Sequence, residues 1–360
     1  MKFLYIKGSD ADDVRLSKFI RGLAQCGHQV DFWGWKRLPS KAIEEDNGLT
    51  RCRYLFRGGG YGRNVMWKYP RWMWRVFCAA LTTRGLEDTH VIAVNFDAAL
   101  PVALAFLIRR RRYVYEVYDE IAISYRFPWI VKRLIRVVDH FLMRHAQFVI
   151  HVDRNRLTYD CGNSVVIENA PEDYWHGKAR NYDSMKGRVF AVTGNLSACR
   201  GLDSICTFAC MHPDVKILMV GTFFDDKTRS RALSLPNVEF LGQMSQTNLF
   251  ALMESCCAVF SLYDPELEIN RQAASNKMYD AMMMGIPVIT NKEVANASFV
   301  RTNGIGLVVD YDYNKTWDDL VNPAFLHEAL TMGRKGRKIY LERYQFAMML
   351  KTRFLPLFCA

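Results

Sequence analysis

Short apolar runs with the two-residue period of strands alternate along this chain with stretches whose apolar positions recur every three or four residues. Lys2–Ile6, Gln29–Trp33, Val91–Asn95, Tyr113–Tyr118, Phe148–Val152 and Val165–Ile167 read as strands. Asp13–Cys26 has helical periodicity, and Gly27 is placed to end it. Tyr174–Lys186 is polar and weakly periodic, and is expected to link two domains. A second alternating set follows, with strands at Val189–Thr193, Lys216–Val220, Val238–Leu241, Ala258–Leu262, Val288–Thr290 and Gly306–Val309. Helical stretches separate them, notably Leu249–Cys256, Asn276–Met284 and Pro323–Tyr344. This alternation predicts an α/β protein: two βαβ domains, each a parallel sheet covered on both faces, meeting at a central cleft. The domains are expected at residues 1–173 and 188–335, with a linker at 174–187. Residues 336–360 are expected to form a helix packing back on the first domain.

Composition narrows the class. With 360 residues, 50% hydrophobic and 24% charged, the chain is globular and long enough for two cores. The charge is uneven. Residues 1–170 carry 27 Lys/Arg against 17 Asp/Glu, whereas residues 171–360 carry 21 against 20. Seven of the eight tryptophans lie at or before Trp175. A basic, aromatic first half implies an anionic partner, and a membrane surface is expected rather than a nucleic acid. Arg109–Arg112 comes with no nucleic-acid-binding signature. The ten cysteines show no C-x-x-C and no zinc spacing, which fits a reducing cytoplasm. Neither a signal peptide nor a spanning segment is expected. The pairs Asp12-Asp13, Asp225-Asp226 and Asp318-Asp319 read as loop or capping acids, and no metal site is expected. Gly58–Gly62 fails the dinucleotide pattern, because Arg63 occupies the third position.

The segment Asn276-Lys277-Met278-Tyr279-Asp280-Ala281-Met282-Met283-Met284-Gly285-Ile286-Pro287-Val288-Ile289-Thr290 carries the clearest chemistry. A loop opens a helix, the helix stops at Gly-x-Pro, and a buried strand follows. Backbone amides at such a helix start suit a phosphate, and Lys277 adds a point charge. Asp280, one turn on, is placed to accept the two hydroxyls of a ribose. Its alternative reading is a surface helix acid.

This segment resembles "N-K-L-Y-E-A-M-A-x-G-x-P-V-I" of the group 1 glycosyltransferases, a family with the GT-B fold. Gly194-Asn195-Leu196 through Arg200-Gly201-Leu202-Asp203 resembles the family's "G-R-L … K-G-x-D" turn, with Arg200 at the lysine and Asn195 at the arginine. Met219-Val220-Gly221 resembles its "I-V-G" strand end, and Asn237–Gly242 its "N-V-x-F-L-G". In the first half, Arg15, Leu23, Gly27, His28 and Val30 resemble its "R … L-x-x-x-G-H-x-V". Tyr115–Glu120 resembles its "V-Y-D-E" strand end, and Val165–Pro171 its "V-I-x-N-G-V". Four positions depart from the family: Asp280 replaces a glutamate, Gln272 stands where many members have a second glutamate, Asn195 replaces an arginine, which removes one charge, and Arg200 replaces a lysine.

The resemblance implies two Rossmann-like domains and transfer of a sugar from a nucleotide-diphosphate donor, with retention of configuration. It implies a donor site at Gly8, Asn195, Arg200, Gly221, Gly242, Ser275, Asn276, Lys277, Met278 and Asp280. Arg200 and Lys277 would neutralise the leaving diphosphate without a metal or other cofactor, and Asp119 would orient the acceptor hydroxyl. Asp119 reads equally as a cap for the helix from Ile121 onward. Gly242–Gln246 would lie by the base.

Two basic aromatic stretches stand apart from this pattern. Trp67, Lys68, Arg71, Trp72 and Arg75 form one, and Trp129, Lys132, Arg133 and Arg136 the other, with Ile130, Leu134 and Val138 on the opposing helix face. Tryptophan with arginine at helical spacing is expected to lie in a membrane interface. The expected protein is thus a cytoplasmic glycosyltransferase, peripheral on the inner face of the cell membrane, acting on a lipid-linked or oligosaccharide acceptor in surface polysaccharide synthesis. The alternatives are a sugar-nucleotide epimerase or phosphorylase on the same fold, and a non-catalytic membrane-associated partner of a polysaccharide assembly complex.

Overall fold

The structure, a computed structural model, describes residues 1–37, 49–60, 63–125, 127–157, 159–175, 187–273 and 275–359. Tyr61 and Gly62 of the glycine-rich loop and residues 176–186 of the expected linker lie outside the described residues. The chain forms two units, Met1–Glu168 with Leu350–Ala360 and Asn169–Met349. The boundary therefore falls before the polar segment. Tyr174 and Trp175, which the sequence assigned to the linker, pack in the core of the second unit, because their rings find apolar partners there such as Phe250.

The first unit holds strands β1 (Lys2–Lys7), β2 (Gln29–Lys36), β3 (Arg51–Arg57), β4 (Thr89–Val94), β5 (Val114–Val117), β6 (Val149–His151) and β7 (Ser164–Val166). They form one parallel sheet in the order β3-β2-β1-β4-β5-β6-β7. Its helices are α1 (Val14–Gln25), α2 (Tyr69–Thr82), α3 (Phe96–Arg109), α4 (Ile121–Ser124) and α5 (Trp129–His145). β1 is buried at nearly every position, as both faces of a covered parallel sheet require. Buried Arg15 on α1 pairs with buried Glu116 on β5, Nη2 to Oε1 at 2.8 Å. At the C-terminus, Phe358 meets Phe3 and His90 edge-on, Phe354 packs at a tilt against Phe19, and Arg353 pairs with Glu168 at 2.8 Å.

The second unit holds β8 (Val189–Leu196), β9 (Lys216–Phe223), β10 (Val238–Phe240), β11 (Ala258–Ser261), β12 (Val288–Asn291) and β13 (Gly306–Val309). The order is β10-β9-β8-β11-β12-β13, again parallel. Its helices are α6 (Leu202–Met211), α7 (Asp226–Leu233), α8 (Gln246–Met253), α9 (Glu268–Arg271), α10 (Asn276–Met284), α11 (Asn296–Asn303) and α12 (Phe325–Ile339). Met282, Met283 and Met284 are all buried.

In each sheet the strand order reverses at one point, between β1 and β4 and between β8 and β11. Ligands of open α/β sheets bind outside the carboxyl ends of the strands at such a switch point. The segments leaving those strands are Gly8 and Asn95–Asp97 in the first unit, and Ser197–Gly201 and Leu262–Tyr263 in the second.

Candidate functional site

The second unit's switch point is built around Tyr263, two residues past β11. Asn291, at the end of β12, clamps its backbone: Tyr263 N–H donates to Asn291 Oδ1 at 2.9 Å, and Asn291 Nδ2 donates to the Tyr263 carbonyl at 3.0 Å. The phenol hydrogen-bonds the Ser275 and Ser261 side chains, whose Oγ atoms lie 2.6 Å apart. Ser275 caps α10 by accepting from Met278 N–H. The Met278 amide, expected to face a phosphate, is thus engaged by its own helix cap, and the Met278 side chain is buried in the core.

Two cations converge on the Tyr263 ring. Arg200 Cζ lies 4.3 Å from its centroid, and Lys277 Nζ lies 5.6 Å from it. Arg200 ends a short turn, Ala198–Arg200, fixed by Gly201 at φ +70, where a side chain would strike Leu262. Tyr311 donates to the Ala198 carbonyl at 2.6 Å and Asp264 N–H to the Cys199 carbonyl at 3.0 Å, so the turn is held from two sides. Among the described residues no carboxylate pairs with Arg200 or Lys277, and Arg200 Nη1 is buried without a hydrogen-bond partner. Burial pushes the Tyr263 phenol up, but Lys277, Arg200 and the Ser275 and Ser261 hydroxyls together outweigh it and hold the phenol below its ordinary value. Uncompensated positive charge at a partly buried switch point is a site for an anion.

The other residues expected at the donor site lie in the same unit, except Gly8, which belongs to the first unit. Gly194 and Gly221 face each other across β8 and β9, and a Cβ on Gly221 would sit 1.8 Å from the Gly194 carbonyl oxygen. Asn195 is exposed beside them. The Gly242 carbonyl accepts from Gly221 N–H at 2.9 Å. The cavity there is lined by Thr222, Phe223, Phe240 and Gln243, and Gln243 donates to Thr222 at 2.6 Å. Asn276 Oδ1 accepts from Asn169 Nδ2 at 3.0 Å. Asp280 is half-buried one turn after Lys277, and Gln272 presents a buried Oε1 without a hydrogen-bond partner.

In the first unit, Asp119 pairs with Arg156 at 3.2 Å and is half exposed. It does not cap the next helix; Glu120 occupies that position. The structure brings out a second carboxylate that the sequence reading missed. Asp97, at the start of α3, accepts from Trp72 Nε1 at 2.9 Å, and a Cβ on Gly8 would lie 2.2 Å from the same oxygen. Burial pushes this carboxyl up, and the Trp72 bond partly opposes that. Arg37 stands by, donating to the Gly8 carbonyl at 3.0 Å and to Tyr69 at 2.9 Å. The available signal was position: Asp97 follows a strand at the switch point, as Tyr263 does.

The basic aromatic stretches need one correction. Trp72, expected at a membrane, is fully buried, because α2 packs along α3 and the indole finds its hydrogen-bond partner inside. Trp67 is 88% exposed and Trp129 71%. Lys68, Arg71, Arg75 and Arg133 are exposed and Lys132 is half-buried. Arg75 donates to the Leu55 carbonyl, and Arg136 pairs with Glu120 at 3.3 Å. Ile130 and Leu134, expected on the helix face opposing the basic residues, are 63% and 64% exposed and run on into exposed Val137 and Phe141. Asp139, Leu142 and Met143 are the buried positions of α5. No described helix is long and apolar enough to cross a membrane. Asp13 and Asp225 cap α1 and α7, and no described cluster of His, Cys, Asp and Glu is placed to hold a metal.

Residues 189–321 match the family model "Glycosyl transferases group 1". This part of the chain is similar to that family's domain. The whole fold is GT-B. Sucrose-phosphate synthase from Thermosynechococcus elongatus superposes with a TM-score of 0.73 at 14% identity, over 100% of this chain and 99% of that one. HepE of Anabaena, in complex with UDP, superposes at 0.72 with 16% identity over 100% of both. WaaG, a glycosyltransferase involved in lipopolysaccharide biosynthesis, superposes at 0.61 with 12% identity over 97% of this chain and 98% of that one. No curated protein matches the sequence.

Proposed function

We propose that this protein is a glycosyltransferase whose second unit holds a nucleoside diphosphate sugar. The observation that carries the reading is the pair Arg200 and Lys277, without carboxylate partners, over one buried ring at the switch point of the group 1 domain. In the reaction the bond from the anomeric carbon to the diphosphate breaks. A bond to an acceptor oxygen forms, and the acceptor proton leaves with the phosphate. Negative charge grows on the diphosphate as this happens. Preorganised cations there lower the barrier, which supports a reaction needing no metal. Arginine holds two phosphate oxygens at once, and lysine adds a compact charge. The half-buried Asp280 is proposed to take the ribose hydroxyls. Retention of configuration follows if the leaving phosphate itself accepts the proton on the face it departs.

The acceptor is proposed to be lipid-linked, in surface polysaccharide synthesis on the inner face of the membrane. The exposed apolar stripe of α5, flanked by Arg133 and Arg136, supports an anionic lipid surface as partner. HepE is a structural relative bound to UDP, so uridine donors come first in the test.

The test is thermal melting against nucleoside diphosphates and nucleotide sugars, with and without EDTA. A ligand at about 100 times its Kd stabilises by about 2.7 kcal/mol. One base class should raise the Tm, equally with EDTA. No shift with any nucleotide would favour the non-catalytic partner instead.

A further inference from the structure

We propose that Tyr263 is the positioning residue of the diphosphate site, holding Arg200 and Lys277 apart from carboxylates and aimed at one ligand. This rests on reading the second unit as a diphosphate binder. Three features converge on the side chain. Its ring is buried, and both cations lie against it. Its backbone is clamped at N–H and carbonyl by the fully buried Asn291. Its hydroxyl joins the Ser275–Ser261 pair, and Ser275 starts the helix that carries Lys277.

The energetics favour such a device. Two like charges on neighbouring flexible side chains repel, and in water they would swing apart or find carboxylates. The face of an aromatic ring carries partial negative charge and attracts each cation by about 0.5–2 kcal/mol. A rigid ring therefore holds the pair together before ligand arrives, so less ordering cost falls on binding. The ring makes no full negative charge, unlike a carboxylate, so the cations remain free to bind an anion. Tyr263 reports on this directly. The two cations help to hold its phenol low, and an anion that neutralises them lets it rise.

The experiment is calorimetric titration of wild type, Tyr263→Phe and Tyr263→Leu with UDP, uridine and inorganic pyrophosphate. Pyrophosphate is the probe that needs no base. Tyr263→Leu should weaken UDP and pyrophosphate by about tenfold, the loss of two modest cation–ring contacts, while uridine is unaffected. Tyr263→Phe keeps the ring and should bind within about threefold of wild type. At alkaline pH, pyrophosphate should reduce tyrosinate absorbance in wild type and leave Tyr263→Phe unchanged. A melt of each variant without ligand checks the fold. Equal affinity of wild type and folded Tyr263→Leu for pyrophosphate would overturn this inference alone. If wild type binds neither pyrophosphate nor any nucleoside diphosphate, the donor-site reading falls together with it.

Discussion

Trp72 donates its indole N–H to Asp97 at 2.9 Å, and Gly8 leaves that carboxylate the space it occupies. This one bond decides what the tryptophan is for. Trp72→Phe deletes a hydrogen bond to a charged group in a packed interior and should cost about 2 kcal/mol or more. The expected result is a lowered Tm with unchanged binding to anionic vesicles. Loss of vesicle binding at unchanged Tm would restore the membrane assignment.

The stripe on α5 makes the opposite prediction. Ile130→Asp with Leu134→Asp changes exposed positions, so stability should stay within about 0.5 kcal/mol for each. Sedimentation with vesicles rich in anionic lipid should fall sharply, and in the wild type salt should weaken it. Unchanged sedimentation of the double variant would remove α5 from the membrane contact.

Arg200→Ala and Lys277→Ala each delete a charge proposed to bind the diphosphate. Charge-assisted hydrogen bonds contribute about 1.5–3 kcal/mol, so UDP affinity should fall about 10- to 100-fold. Uridine affinity should not move. A matching loss for uridine would mean that the variants damage the base or ribose site instead.

Two buried groups in the first unit titrate in opposite senses. Burial pushes Asp139 up to about 6, against the bond from Tyr115, and burial pushes His151 down to about 4. For Asp139, the folded state holds its proton more tightly than the unfolded state, so stability falls as pH rises from about 4 to about 6. For His151, the unfolded state takes up the proton first, so stability falls as pH drops from about 6.5 to about 4. Each is worth up to about 3 kcal/mol, and the two largely cancel. Asp139→Asn should therefore melt higher than wild type at pH 7, and lose stability more steeply below pH 6. Parallel melting curves across that range would contradict this.

The alternation of periods two and three to four determined much of this protein from its sequence. It predicted both parallel sheets, because a covered strand must be apolar throughout and a covering helix apolar on a stripe. The order of the strand-end glycines Gly194, Gly221 and Gly242, followed by the helix that stops at Gly285, carried the resemblance to the group 1 family. Local chemistry singled out Lys277 as well, since a cation at a helix start is a property of a few consecutive residues, and the resemblance singled out Arg200. Tertiary structure decided the rest. Tyr263 meets Arg200, Lys277, Ser275 and Asn291 only because β8, β11 and β12 lie side by side in the sheet and α10 starts beside their carboxyl ends. Asp97 meets Trp72 only because α2 packs along α3. Helix α5 is apolar on both sides, so its pattern names two candidate core faces, and packing alone selects Leu142 and Met143 over Ile130 and Leu134. Periodicity tells a helix that it has a face to bury; only the neighbours present in the fold tell it which one.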